Sequence, residues 1–348
     1  MKKIITLSMF FVAFSLFAQE ETEEKKKFEF SGSVDAYYKG NLTGPNTADE
    51  DGAFLTPGTS FANRSGFSLG MANLIASYEG EKVGFVADLV FGPRGEDAVF
   101  LSMGSSNIVN QLYVYWNVSE SVTLTFGNFN TFLGYEVISP VANFNYSTSY
   151  MFSYGPFSHT GLKADFALSD DFSLMLAVMN STDFTEINLD GSYTFGAQLG
   201  YSDQFLNFVY GDQTGTTGPT FQVDYTGGFD LSDTFFLGLN ATYNDTDGAS
   251  FYGAALYPQI QASDDFAIGL RAEYFAEGEG GAGAIGAYDS EGDASVIDVT
   301  LTGSYTVGDL IIKPEFRLDS ASEEAFFDND LEGTKSLSSF LLAAIYKF

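Results

Sequence analysis

Few residues in this chain have the chemistry for catalysis. It has one histidine and no cysteine among 348 residues, which excludes disulfides, thiolate metal sites and cysteine nucleophiles. His159 follows Ser158. Adjacent residues of a strand point to opposite faces, so these two cannot form a hydroxyl–imidazole dyad with each other. Two acidic stretches, Asn244-Asp245-Thr246-Asp247-Gly248 and residues 289–293, hold carboxylates at short spacing. Neither fits a twelve-position calcium loop, with Gly at six and Glu at twelve; both read as diffuse cation-attracting surface. The Gly cluster at 277–287 lacks the strand–loop–helix context of a phosphate cradle and reads as a flexible external loop. No catalytic, cofactor or metal residue is assigned.

What remains is charge at two-residue spacing. Lys163 and Asp165, Arg271 and Glu273, and the run Lys313, Glu315, Arg317, Asp319 each put charges on alternate positions. In a strand, alternate positions share a face. Leu310, Ile312, Phe316 and Leu318 then form the opposite, apolar face of the last run. The same alternation adds Asp35, Asp88, Asp224 and Asp298 to a polar inner face. That face carries eight carboxylates against four cations, a formal −4. The whole chain stands at −31, so most of the acid must lie in loops and turns.

The elements that would position these charges are strands almost throughout. Val122, Leu124 and Phe126 alternate with Thr123, Thr125 and Gly127; Phe172, Leu174, Leu176 and Val178 follow the same rule. Segments of about ten residues of this kind are separated by turns of two kinds. Short turns repeat a Ser-Asp formula at Ser119, Ser169, Ser202, Ser232 and Ser263, with two more near residues 79–82 and 307–309. Ser and Asp suit tight turns because their side chains bond the local backbone. Longer connections rich in Gly, Asn, Asp and Thr fall near 40–64, 92–107, 131–156, 182–190, 213–218, 245–249, 277–293 and 320–335. Short and long connections alternate, which predicts sixteen strands with both ends on the short-turn side. That is the pattern of an all-β, transmembrane antiparallel up-and-down barrel with short periplasmic turns and long extracellular loops. Phe172, Phe205, Phe235 and Phe266 open strands directly after turns, where an interfacial aromatic girdle is expected.

Composition agrees. Hydrophobic residues make up 45% and aromatics 16%, too many for an acidic disordered chain, and the acidity repels nucleic acid. Met1–Gln19 reads as a signal peptide, with Lys2 and Lys3 before an apolar stretch from Ile4 to Phe17. Residues 20–27 read as a short periplasmic leader and 28–348 as the barrel. Export places the chain in the cell outer membrane, among lipid and lipopolysaccharide.

Two places carry a resemblance. The chain ends in Phe348, preceded on alternate positions by Tyr346, Ala344, Leu342 and Phe340. This is similar to the C-terminal signal of outer-membrane proteins that the barrel-assembly machinery reads. The segment Phe126–Phe166 resembles the OmpL-like β-barrel porin family of Gram-negative bacteria, at Gly127, Phe129, Leu133, Gly134, Glu136, Asn143, Tyr146 and Gly161. The resemblance implies a passive outer-membrane channel for small hydrophilic solutes, not an enzyme, with homotrimerisation expected by analogy with sixteen-stranded porins. A closed or plugged barrel acting through its acidic loops is the alternative. Loop 131–156, crowded with Tyr135, Phe144, Tyr146, Tyr150, Phe152 and Tyr154, is expected to fold into the lumen. Tyr135, Glu136, Tyr146 and Tyr150 are the constriction candidates. A net negative wall predicts weak cation preference.

Overall fold

The computed structural model describes residues 27–48, 56–214, 216, 218–279 and 281–348. The expected signal peptide and nearly all of the leader lie outside the described residues; Lys27, counted as leader, already begins the first strand. The strands are β1 Lys27–Asn41, β2 Gly66–Glu79, β3 Val83–Phe91, β4 Val109–Ser119, β5 Val122–Asn130, β6 Ser158–Ala167, β7 Phe172–Met179 and β8 Thr194–Tyr201. They continue as β9 Gln204–Asp212, β10 Pro219–Ser232, β11 Phe235–Thr246, β12 Ala249–Ser263, β13 Phe266–Gly278, β14 Ala294–Val307 and β15 Leu310–Ala321. A closing strand, Ser336–Lys347, pairs with both β15 and β1.

Each strand pairs antiparallel with its chain neighbour, and the sheet closes on itself. Closure leaves no open edge, as lipid demands of a spanning sheet. At the seam Gly32 and Phe348 exchange backbone hydrogen bonds of 3.0 Å in both directions. The terminal residue is therefore part of the closure, and the Phe348 ring lies outside beside Phe30, 6.1 Å between centroids. Among the described residues, no helix is long and apolar enough to cross a membrane; crossing falls to the strands.

Alternation governs burial. In the closing strand Phe340, Leu342 and Tyr346 are exposed outward, while Leu341, Ala343 and Ile345 are buried inward. In β15, Phe316 and Leu318 face out, and Lys313, Glu315, Arg317 and Asp319 face in. All seven short turns lie where the sequence puts them, five at the Ser-Asp formula and two near residues 79–82 and 307–309.

Two expectations are corrected. The connection at 245–249 is a two-residue hairpin, Asp247-Gly248, with both residues at positive φ (55° and 94°). An Asp-Gly pair favours the type I′ turn whose twist matches the flanking strands, so β11 and β12 run on into what was read as loop. Phe205 also departs from the girdle. It shares the parity of buried Asn207 and pairs with Gly200 on the inner face. β9 starts one residue earlier than read, at Gln204, and a one-residue shift exchanges the faces. Phe172, Phe235 and Phe266 keep outward parity.

Candidate functional site

Loop 131–157 leaves β5, runs across the barrel interior and returns at β6. Its neck is pinched by the Thr131 amide donating to the Phe157 carbonyl at 2.9 Å. Within it a five-residue helix, α2 (Tyr150–Tyr154), starts at Ser149, whose hydroxyl accepts from the Phe152 amide at 3.1 Å. A loop crossing a barrel has no sheet partner, so its buried amides and carbonyls need other partners. The wall supplies them.

Glu273 on β13 accepts the Tyr150 and Met151 amides, at 2.8 and 2.7 Å. Glu315 on β15 accepts those of Tyr146 and Ser147, at 2.8 and 3.2 Å. Asp224 on β10 accepts the Gly134 amide at 2.9 Å. The cations take the carbonyls. Arg271 donates to the Ser147 carbonyl at 2.6 Å, Arg317 to that of Thr148 at 2.8 Å, and Lys313 to those of Pro140, at 3.0 Å, and Asn143. Charges also pair with each other. Arg271 contacts Glu136 and Asp298, both at 2.8 Å, and Arg317 contacts Asp298 at 3.1 Å and Asp319 at 2.8 Å. Pairing and full hydrogen bonding are what make buried charges tolerable.

Side chains of the loop seat in notches of the wall. Phe132 lies over Gly196, Tyr135 over Gly238 and Phe144 over Gly269. A Cβ on those glycines would stand 2.6 Å, 2.5 Å and 2.5 Å from the Phe132 Cζ, Tyr135 Cζ and Phe144 Cδ1 atoms. All three glycines lie on the inner face, where only hydrogen leaves room for a ring.

The four constriction candidates stand as follows. Tyr135 stacks on Tyr257 with ring centroids 4.2 Å apart. Glu136 bridges Arg271 and the Ser149 amide, the latter at 2.7 Å. Tyr146 is fully buried, donates its hydroxyl to Asp35 and lies 5.5 Å from the Tyr37 ring. Tyr150 stacks on Phe275 at 5.6 Å, with the Arg317 guanidinium 5.5 Å from its ring.

Of the twelve charges assigned to the lumen, ten are at most 9% exposed: Asp35, Asp88, Asp224, Arg271, Glu273, Asp298, Lys313, Glu315, Arg317 and Asp319. Asp88 is held by the amides of Asn73, Asn110 and Gln111. Lys163 and Asp165 stand apart, paired with each other at 3.2 Å with side chains 27% and 39% exposed.

Three interior charges escaped the sequence reading. Lys39 is buried on β1 in the same parity as Asp35, a position alternation alone reaches. Arg94 belongs to a short helix, α1 (Pro93–Ala98), and donates inward to the Ile138 carbonyl at 2.9 Å and the Tyr146 carbonyl at 3.1 Å. Glu277 accepts the Ala284 and Ile285 amides at 3.0 and 2.9 Å. This corrects the picture of 277–287 as a purely external loop, because Ala284 and Ile285 join a buried cluster with Phe251, Phe275 and Val296. Apolar residues between the glycines were the signal.

His159 bonds Thr131 Oγ1 at 2.9 Å and packs by the rings of Phe132 and Phe129, at 5.1 and 6.2 Å. Its role is to pack the loop neck. Asp289 accepts the Glu291 and Asp293 amides, at 2.8 and 3.1 Å, so that acidic stretch is a self-bonded turn. Among the described residues no cluster of His, Cys, Asp and Glu is placed to hold a metal ion.

The fold is shared with solved outer-membrane proteins. The outer membrane channel DcaP of Acinetobacter baumannii superimposes with a TM-score of 0.62 at 14% identity, over 95% of this chain and 100% of that one. An anion-selective porin from Comamonas acidovorans gives 0.61 at 9% identity, over 93% and 100%. OprB of Pseudomonas putida gives 0.59 at 12%, over 92% and 94%. No curated relative matches in sequence. The family described as "Putative beta-barrel porin-2, OmpL-like" matches residues 27–348, the whole barrel from its first strand to Phe348, and the chain belongs to that family of outer-membrane porins.

Proposed function

We propose that this porin passes small hydrophilic solutes by diffusion, through the space that loop 131–157 leaves free, with a weak preference for cations. The observation that carries the reading is the inserted loop: Tyr146 at its centre is fully buried against β1, and five wall charges on β13 and β15 bind its backbone. A sixteen-stranded barrel is wide enough for an aqueous channel, so a fixed internal loop sets the size limit. Cation preference follows from ten interior carboxylates facing six cations once Lys39, Arg94, Glu136 and Glu277 are counted with the twelve. The family is one of channels, and the reading assigns no reaction.

The same packing favours one rival, a barrel held shut and used as a surface scaffold. Planar-bilayer recording from the refolded chain in a KCl gradient separates them. Stable open steps with a small cation-selective reversal potential support the channel. Absence of steps supports the rival, and anion selectivity removes the charge argument.

We also propose cleavage after Gln19, delivery through the Phe348 signal to the assembly machinery, and assembly as a homotrimer in lipopolysaccharide-containing membrane. One fold relative, OmpT of Vibrio cholerae, is described in a trimer form. N-terminal sequencing of the membrane-extracted protein and its unheated mobility on a gel test cleavage and assembly.

A further inference from the structure

We propose that Lys163 and Asp165, side by side on the inner face of β6, are the wall charges that permeating ions meet directly, and that the ten buried charges reach those ions only as a weak background. This rests on the channel reading above. An ion responds to charges its water can reach, and exposed charges act over roughly one Debye length, about 10 Å at 0.1 M salt. The ten buried charges are engaged: their oxygens and nitrogens are taken up by the loop backbone, neighbouring polar side chains or each other. An enclosed set of seven carboxylates and three cations, bonded to wall and loop, reaches the water path only as a weakened negative background.

The β6 pair has the opposite character. Both side chains keep more than a quarter of their surface open, and their cross-strand neighbours are uncharged, Thr123 and Thr125 on β5 and Met175 and Ala177 on β7. The Lys163 ammonium lies 5.5 Å from the Phe129 ring centroid, at the edge of the Phe129, Phe132 and Met179 cluster that covers the wall beside the loop. The pair therefore stands where the open part of the lumen meets the packed part. Asp165 is the more exposed of the two, which matches a weak net preference for cations.

A unit charge about 7 Å from an ion in bulk-water dielectric acts with an energy near RT, about a threefold change in local ion concentration. The same charge acts oppositely on anions, so Asp165→Asn should lower the cation-to-anion permeability ratio by about sevenfold, and Lys163→Gln should raise it by about the same factor. The double variant should return close to the wild-type ratio. Because the chain contains no cysteine, single Cys variants give a readout that does not need conduction. Cys at 163 or 165 should react with a charged, water-soluble methanethiosulfonate in the folded barrel. Cys at 343, a fully buried inner-face alanine, should not. Wild-type conduction with unchanged selectivity in both single neutral variants overturns the proposal, as does equal reactivity at 165 and 343. Loss of conduction in the wild type overturns the channel reading instead, and leaves the thiol comparison to decide which wall charges meet water.

Discussion

Arg271→Met tests whether wall charges hold the loop. Arg271 is fully buried and serves two bodies at once. Toward the loop it reaches Glu136 at 2.8 Å, the Ser147 carbonyl at 2.6 Å and the Ser147 hydroxyl at 3.2 Å. Toward the wall it reaches Asp298 at 2.8 Å and Thr300 at 3.1 Å. Removing one partner of a buried pair costs about 3–5 kcal/mol, because the remaining charge is stranded. The strand ladder is untouched, so the cost falls on loop docking, which shares Glu136 and Ser147. A cost of about 3 kcal/mol lowers the ratio of docked to released loop by roughly a hundredfold. Glu136→Gln leaves Arg271 with Asp298 and removes one charged hydrogen bond, for about 1.5–3 kcal/mol. Chymotrypsin, which cuts after the Tyr and Phe residues that crowd this loop, should therefore cleave fastest in R271M, next in E136Q and slowest in wild type. Conductance should rise in the same order. An R271M barrel that keeps its heat-modifiable gel mobility yet shows wild-type cleavage and conductance would refute the reasoning, and would mean the loop is held by its rings alone.

The rings have their own test. Gly269→Val builds side-chain atoms where the Phe144 ring sits without touching a charge; it should lift the loop's middle and raise conductance, and unchanged conductance in a folded barrel would place Phe144 elsewhere. Asp183, in the loop between β7 and β8, accepts the Phe157 and Ser158 amides at 2.7 and 2.9 Å, and burial pushes its carboxyl up to about 6. A raised acid pKa means the native state binds the proton more tightly. Its stabilising contribution is fully present below about pH 3.8 and is lost as pH rises through about 6. The wild type should accordingly gain more urea resistance between pH 7.5 and 5 than Asp183→Asn does; equal gains would remove Asp183 from the account. Trp116 is the sole tryptophan and faces outward, half-exposed, near the short-turn end of β4. Its fluorescence in the refolded barrel should be quenched by brominated acyl chains rather than by aqueous iodide, and the reverse would put this face in water.

Much of the wall was legible because strand alternation is a period of two and the Ser-Asp turns fix its phase. Lys313, Glu315, Arg317 and Asp319 follow from that rule alone, and all four face inward. Where the phase slipped by one residue, at Gln204, Phe205 was put on the wrong face. The Asp247-Gly248 hairpin was readable from its dipeptide, but its acidic neighbours resembled those of genuine loops. The site was legible only by halves. Alternation gives the direction of Arg271 but not its partner, since Glu136 lies 135 residues away and no local rule spans that separation. Lys39 needed only the parity of Asp35; Arg94 needed the fold of its own loop.

An acid-rich interior in a porin looks like an ion filter, yet the bonding gives it another first task. A strand satisfies its own amides and carbonyls through its neighbours, whereas an inserted loop brings both kinds of group into the lumen unpaired. A carboxylate can accept two adjacent amides at once, as Glu273, Glu315 and Glu277 each do. An arginine or lysine can take carbonyls, as Arg94, Arg271, Arg317 and Lys313 do. Amides in tandem are best met by acids, so a wall that holds loops accumulates carboxylates for reasons unrelated to what passes. Formal lumen charge then overstates selectivity wherever a loop is seated on it. In this barrel the charge that ions meet directly is the part no loop covers, the wall of β6.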